Sequence, residues 1–353
     1  MPEPTLIERI WYGRGRTAGL GRALLTPAER VFGGVAGLRD MLYDAGWLPV
    51  HEPEIPAVSV GNLTVGGTGK TPVTAWIARE LAARGMRPAI VLRGYGDDEP
   101  LVHRALNPDI PVIVGADRVA AIARARAQGA DIVVLDDAFQ HRRVRRIADF
   151  VLVSADRWTV TVHLLPAGPW REPLRAIRRA TLIIVTRKVA SNADVDAVNE
   201  RLAAVAPQVR RVSVGLEPCE LVSATEAGQR SALGTLAGAR VRAVLSIADP
   251  DSFIRQLERL GARVEPFVFR DHHAFTDADV RRVTAGLGAD DRVLCTLKDA
   301  VKLAPRWPRL GGGPPLWYVS QQVKVERGVG GLEHVLDDLV RARFKTSPTP
   351  SAG

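Results

Sequence analysis

Between residues 57 and 205 short apolar runs alternate with longer mixed stretches in a regular beat. Ala57–Val60, Pro88–Leu92, Pro111–Val114, Asp131–Leu135, Phe150–Ser154 and Leu182–Val185 read as strands. In them Val, Ile and Leu follow one another without the polar alternation of a half-exposed strand, which suits strands covered on both faces. Pro72–Arg84, Asp117–Gln128, the basic Arg171–Arg179 and Asp194–Val205 read as the intervening helices. The pattern predicts a doubly wound α/β fold with a mostly parallel sheet and ligands at the carboxyl ends of its strands.

Upstream, Thr26-Pro27-Ala28-Glu29 has the form of a capping box with Pro at the first helical position, predicting a helix to about Ala45 that stops at Gly46. Its apolar positions are Val31, Val35, Leu38, Met41 and Leu42, and Arg9, Arg14, Arg16 and Arg22 precede it. That run is too short and too charged to span a bilayer. Two readings stay open: packing on its own domain, or lying in a membrane interface with arginines toward anionic headgroups. Beyond Gly215 the beat loosens through Glu217-Pro218 and Ser223–Ser231. It resumes with strands at Val241–Ile247, Val264–Val268 and Val293–Thr296 and helices at Pro250–Leu260, Asp277–Leu287 and Leu332–Phe344. Four segments are expected: a basic amphipathic segment 1–50, a core 51–215, a smaller α/β unit 216–344 and a disordered Pro/Ser/Thr-rich tail 345–353.

With 353 residues, 46% of them hydrophobic, the chain is long enough for two units with buried cores. Cys219 and Cys295 form no Cys-x-x-Cys pair, which argues against a disulfide framework or zinc site and suits a reducing compartment. The opening residues lack the unbroken apolar core of a signal peptide, so the cytoplasm is expected. A net charge of +9 favours an anionic partner, while aromatics at 5% argue against a base-stacking nucleic-acid surface.

The strongest motif is Gly61-Asn62-Leu63-Thr64-Val65-Gly66-Gly67-Thr68-Gly69-Lys70-Thr71, between the first strand and a helix. This is the context of a phosphate loop, so the fold is of the P-loop NTPase type. Backbone N–H groups of Thr64, Val65, Gly66, Gly67, Thr68 and Gly69 can surround phosphate oxygens, Lys70 supplies charge, and the Thr71 hydroxyl can ligate Mg²⁺. Ile132–Asp137 is an apolar strand ending in two carboxylates, the Walker B form that positions Mg²⁺; sequence does not choose between Asp136 and Asp137. The run Asp97-Asp98-Glu99 after the next strand is either a solvated turn or a functional cluster. Of the adjacent His272 and His273, one working and one structural imidazole are expected, with catalysis or helix capping both open. Half or more of the arginines in 142–146 are expected to form a solvated basic face.

Together these stretches resemble the tetraacyldisaccharide 4'-kinase family, the lipid A 4'-kinases. The matching pieces include the phosphate loop, Arg93-Gly94-Tyr95-Gly96, Asp98-Glu99-Pro100, Leu135-Asp136-Asp137-Ala138-Phe139-Gln140-His141, Leu165-Pro166-Ala167-Gly168-Pro169, Arg171-Glu172-Pro173, Asp271-His272-His273 and Lys298-Asp299-Ala300-Val301-Lys302-Leu303. The resemblance implies transfer of the ATP γ-phosphate, with Mg²⁺, to the 4'-hydroxyl of a tetraacylated glucosamine disaccharide 1-phosphate. It implies a peripheral enzyme, expected as a monomer, on an anionic membrane surface at the cytoplasmic face of the bacterial inner membrane. Carried over by position, Lys70 and Thr71 serve phosphates and Mg²⁺, Asp136, Asp137 and Glu172 the metal site, Arg171 the phosphate charge, and Asp98 pairs with His272 to activate the acceptor hydroxyl.

This chain departs from the family pattern in a shortened loop between Gly96 and Asp98, and at Leu92, Ala138, Leu297 and Asp249-Pro250. None of these removes a proposed catalytic group. Two competing classes are a kinase for another sugar or lipid and a phosphate-loop switch ATPase. The deviant-loop switch ATPases place Lys where this chain has Val65, and Thr296-Leu297-Lys298-Asp299 misses the guanine-binding spacing.

Overall fold

The uninterrupted apolar runs become strands, buried on both faces except at the sheet edge, where Val112 and Val114 are partly exposed. In the computed structural model, which describes residues 6–13, 15–94, 96, 98–288, 291–307 and 314–346, they are β1 (Ala57–Asn62), β2 (Pro88–Leu92), β3 (Val112–Val114), β4 (Ile132–Asp136), β5 (Ala148–Ser154) and β6 (Leu182–Arg187). All six run parallel in the order β6-β5-β1-β4-β2-β3. Alternate residues face opposite sides, as a pleated strand requires. Val58 and Val60 join the cluster under α3 (Lys70–Ala83) and α10 (Val329–Thr346), whereas Ala57 joins the cluster under α5 (Arg118–Ala127). Next to that second cluster, Val151, Ile183 and Val185 pack under α6 (Asn192–Val205). The sheet is therefore covered on both faces, the doubly wound α/β arrangement of P-loop NTPases.

The sequence pattern did not predict β7 (Arg210–Ser223) and β12 (Leu316–Arg327), two long, half-exposed strands that run antiparallel to each other. They explain how the second unit is placed. The first part of β7, Arg210–Gly215, completes the parallel core beside β6, and its far end, Leu221–Ser223, pairs with Val319–Trp317 of β12. Between them lies a stretch of about 20 Å at strand rise. On that overhang β12 carries β11 (Arg292–Thr296), then β9 (Arg240–Leu245) and β10 (Arg263–Val268), all parallel to β12 and so opposed in direction to the core. The carboxyl ends of the two strand groups thus face each other. The boundary expected at 215/216 falls inside β7, and one continuous sheet runs through both units. Around the second group pack α7 (Pro250–Arg259), α8 (Asp277–Thr284) and the short α9 (Leu297–Leu303).

Several local expectations are corrected. The basic stretch 171–179 forms a 3₁₀ helix only over Leu174–Arg179. Asp98-Glu99-Pro100 opens a helix, α4 (Asp98–Leu106), because Pro is tolerated in a first turn where its missing N–H has no partner to lose. Lys345 and Thr346 belong to α10, and the rest of the expected tail lies outside the described residues, as do Arg14, Tyr95 and Asp97.

The N-terminal segment forms α1 (Leu6–Tyr12) and α2 (Arg16–Asp44), with Pro27 inside α2 rather than at its start. The predicted capping box is absent: the Thr26 hydroxyl donates back to the Arg22 carbonyl at 3.0 Å, and Glu29 accepts from the Leu164 N–H at 2.7 Å. Polar contacts tie this helix to the core. Asp40 pairs with Arg179 at 2.9 Å, Asp44 with Arg142 at 2.6 Å and Arg39 with Glu172 at 3.3 Å. Its apolar positions Leu20, Leu24, Val31, Val35, Leu38 and Met41, spaced three, four or seven apart, are exposed. No helix among the described residues is long and apolar enough to cross a membrane.

Candidate active site

The phosphate loop leaves β1 and enters α3 through glycines that a side chain would obstruct. Gly66 and Gly69 hold φ of +93° and +83°, and a Cβ at Gly69 would lie 2.3 Å from Leu216 Cδ1. Asn62, fully buried at the end of β1, sets the loop's interior. Its Nδ2 donates to Thr68 Oγ1 at 2.9 Å, and its Oδ1 accepts from Lys70 Nζ at 3.3 Å. The segment before the 3₁₀ helix braces the loop's entry, with the Val65 N–H on the Pro169 carbonyl and the Arg171 N–H on the Leu63 carbonyl, both 2.7 Å. Thr64 forms a bridge with Trp170, and Thr71 lies half-buried in the first turn of α3.

The two aspartates after β4 separate by environment. Asp136 is buried: Oδ1 accepts from Thr74 at 2.9 Å and Oδ2 lies 2.9 Å from His103 Nε2. Burial opposes its ionisation, but His103, Lys70 and Thr74 outweigh it and hold the carboxyl below its ordinary range. Asp137 adopts φ of +49°, which turns its side chain into the open. Arg171 Nη1 donates to both of its oxygens at 3.0 Å, and Lys70 Nζ lies 3.7 Å away. Asp137 thus gathers the two cations expected to meet phosphate.

α4 carries the next group. Asp98, almost fully buried at its start, lies 3.2 Å through Oδ1 from His272 Nδ1, so the facing carboxyl ends of the two strand groups bring the expected pair together. Asp98 Oδ1 also accepts from the Glu99 N–H at 3.1 Å, while its buried Oδ2 has no hydrogen-bond partner among the described residues. Burial, then the Asp136 charge, pushes the Glu99 carboxyl above its ordinary range. His272 sits at φ of +59°, and Lys298 of α9 stands 3.1 Å from its Nε2. His273 instead stacks on Phe269 and pairs with Asp279 at 3.0 Å, which makes it the structural imidazole.

A scan against family models matches residues 21–341 to the family described as tetraacyldisaccharide-1-P 4'-kinase. A tetraacyldisaccharide 4'-kinase of Anaeromyxobacter sp. (strain Fw109-5) is 37% identical across 94% of this chain and 96% of its own length. That of Alkalilimnicola ehrlichii is 39% identical across 86% of this chain and 88% of its own. Among solved structures, LpxK from Aquifex aeolicus in complex with ATP matches with a TM-score of 0.69 at 26% identity, covering 92% of this chain and 99% of that one. The chain belongs to the tetraacyldisaccharide-1-P 4'-kinase family.

For a member of this family the metal site needs one correction. Glu172, expected beside Thr71 and the aspartates, is instead fully buried, with its oxygens on Arg179 at 2.6 Å and Arg39 at 3.3 Å. The two neighbours point different ways at a bend of the chain, so Arg171 reaches Asp137 while Glu172 holds α2. Burial outweighs its arginines and raises the Glu172 carboxyl above the ordinary range. Among the described residues no group of three or more His, Cys, Asp or Glu could hold a metal alone. Mg²⁺ is commonly bound through one or two carboxylates together with substrate phosphates.

Sequence reasoning missed His103, which orients Asp136, because its helix was hidden behind an apparent acidic turn. It also gave no role to Asp249, which lies against Gly67 and pairs with Lys188 at 2.9 Å. Burial opposes the Asp249 charge, but Lys188 and Arg157 hold its carboxyl below the ordinary range. In the basic run, Arg143 and Arg145 are exposed, as expected for half of these arginines, while Arg142 and Arg146 are structural ties, ion-paired with Asp44 and Asp149 at 2.6 and 2.9 Å.

Proposed function

We propose that the protein transfers the γ-phosphate of ATP to the 4'-hydroxyl of a tetraacylated glucosamine disaccharide 1-phosphate. The loop Thr64–Thr71 holds the phosphates through backbone N–H groups and the start of α3, and Lys70 and Arg171 turn from Asp137 to the phosphate charge. Mg²⁺, held through Thr71, Asp136 and Asp137, would neutralise charge on the β- and γ-phosphates.

Asp98, oriented by His272, accepts the proton of the acceptor hydroxyl. The hydroxyl oxygen bonds to the γ-phosphorus as the bond to the bridging oxygen breaks, and that electron pair leaves with ADP. The observation that carries this reading is the buried Asp98 Oδ2, an acceptor without a hydrogen-bond partner among the described residues, on the carboxyl that meets His272.

The acceptor's acyl chains stay in a bilayer, and residues 1–50 meet them there. The exposed apolar stripe of α2 lies in the surface of an anionic membrane, the cytoplasmic face of the bacterial inner membrane, with the enzyme peripheral to it. The unit 51–215 binds nucleotide, and 216–344 contributes His272.

The test is transfer of radiolabelled γ-phosphate to tetraacylated disaccharide 1-phosphate in detergent micelles with Mg²⁺. Label on the 4' position supports the reading. ATP hydrolysis with no label on that lipid, or label on a soluble sugar instead, overturns the acceptor assignment.

A further inference from the structure

We propose that Lys298 is a positioning residue that fixes which nitrogen of His272 carries the proton, and so leaves one oxygen of Asp98 free for the acceptor hydroxyl. The inference deepens the kinase reading above and rests on it for the role of Asp98. A lysine ammonium has three donors and no acceptor. Lys298 Nζ lies 3.1 Å from His272 Nε2 and donates to Asp271 Oδ1 at 3.0 Å. A contact of that length places the lone pair of His272 on Nε2, so the ring proton sits on Nδ1. Nδ1 faces Asp98 Oδ1 at 3.2 Å and donates to it.

The consequence falls on Asp98. Its Oδ1 is doubly engaged, by His272 and by the Glu99 N–H, while the buried Oδ2 has no hydrogen-bond partner among the described residues. Lys298 and Lys302, one turn apart on α9, stand 4.0 and 3.8 Å from Oδ2, so two cations line the side of the carboxyl that the acceptor hydroxyl would meet. Lys302 is fixed on the Ser246 hydroxyl and on the His273 carbonyl at 3.2 Å, so Lys298 is the cation that meets the imidazole.

The opposite tautomer would turn a bare Nδ1 toward a carboxylate and Nε2–H toward an ammonium, two repulsive contacts in place of two attractive ones. The charged groups around His272 come from three elements: Asp98 and Glu99 of α4, Asp271 of its own loop and Lys298 of α9. The left-handed backbone of His272 is held by its N–H on Asp271 Oδ1 at 3.1 Å and the Ser246 carbonyl at 3.3 Å, so the ring has a defined place from which to be read.

The test is nitrogen NMR of the full chain in detergent with ¹⁵N-labelled histidine, the His272 signals being assigned by their loss in His272→Gln. The wild type is expected to show His272 with Nδ1 protonated and Nε2 bare near pH 7.5. A wild-type ring protonated on Nε2 overturns the proposal without need of a variant. In Lys298→Met the Nε2–H form is expected to appear.

In transfer assays kcat for Lys298→Met falls about tenfold to a hundredfold, and KM for ATP stays within about twofold. Lys298→Arg restores the tautomer and most of kcat. An unchanged tautomer in a folded Lys298→Met, whatever its kcat, contradicts the proposal. Failure of the wild type to label the disaccharide lipid refutes the kinase reading separately, since the NMR result stands apart from the acceptor.

Discussion

The outward apolar stripe of α2 gives the most quantitative prediction. Leu24 and Val31 are 74% and 68% exposed. Full burial of such a side chain yields about 2 kcal/mol, so each gains about 1.5 kcal/mol on entering a membrane interface. Replacing both with Asp forfeits about 3 kcal/mol, a factor of about 150 in partitioning, and the cost of bringing two carboxylates to an anionic surface makes this a lower bound. The assay is co-sedimentation with vesicles containing phosphatidylglycerol, wild type against Leu24→Asp/Val31→Asp, with thermal unfolding in parallel. Binding should collapse while the unfolding temperature moves by no more than about 1–2 °C, since exposed sites contribute within about 0.5 kcal/mol each. Undiminished vesicle binding, or a variant that unfolds many degrees earlier, would refute the reasoning.

Two further predictions concern buried carboxylates. Glu172→Ala leaves Arg39 and Arg179 without their buried partner; both keep Asp40 and some solvent, so the loss is about 2–3 kcal/mol, read by urea unfolding. The Mg²⁺ concentration for half-maximal transfer should not change, whereas a role as metal ligand would raise it and spare stability. For Glu99 the folded pKa lies above the unfolded value, so the native state holds the extra proton. Its contribution is complete below about pH 4.5 and is lost as pH rises through the folded value. Glu99→Gln should therefore gain stability relative to wild type as pH rises from 4.5 to 8, and a flat difference across that range would contradict the assignment.

The parallel core was legible because β1, β2 and β4 are fully buried on both faces, which writes an unbroken apolar run into the chain. The phosphate loop was legible because its glycines answer a backbone demand that no other residue meets. β7 and β12 were not: their exposure varies along their length and Glu217-Pro218 interrupts the first, so neither shows a run or a clean alternation. Asp98 and His272 are 174 residues apart, and only the reversal of strand direction across the β7–β12 ribbon explains their meeting. Glu172 was misplaced because adjacency to Arg171 in sequence says nothing about which way each side chain turns at the bend they share. In α2 the apolar spacing was readable but its direction was not, since that depends on the ion pairs of Asp40 and Asp44 with residues far along the chain.

The central claim is a division of labour, in which the phosphate loop binds ATP and the Asp98–His272 pair acts on the acceptor. It is tested most directly by measuring ATP affinity calorimetrically and label transfer in the same preparation of Asp98→Ala. The account predicts an ATP dissociation constant within about twofold of wild type and transfer lower by about 10²–10⁴-fold. Transfer at the wild-type rate, or loss of ATP binding in step with transfer, would contradict it.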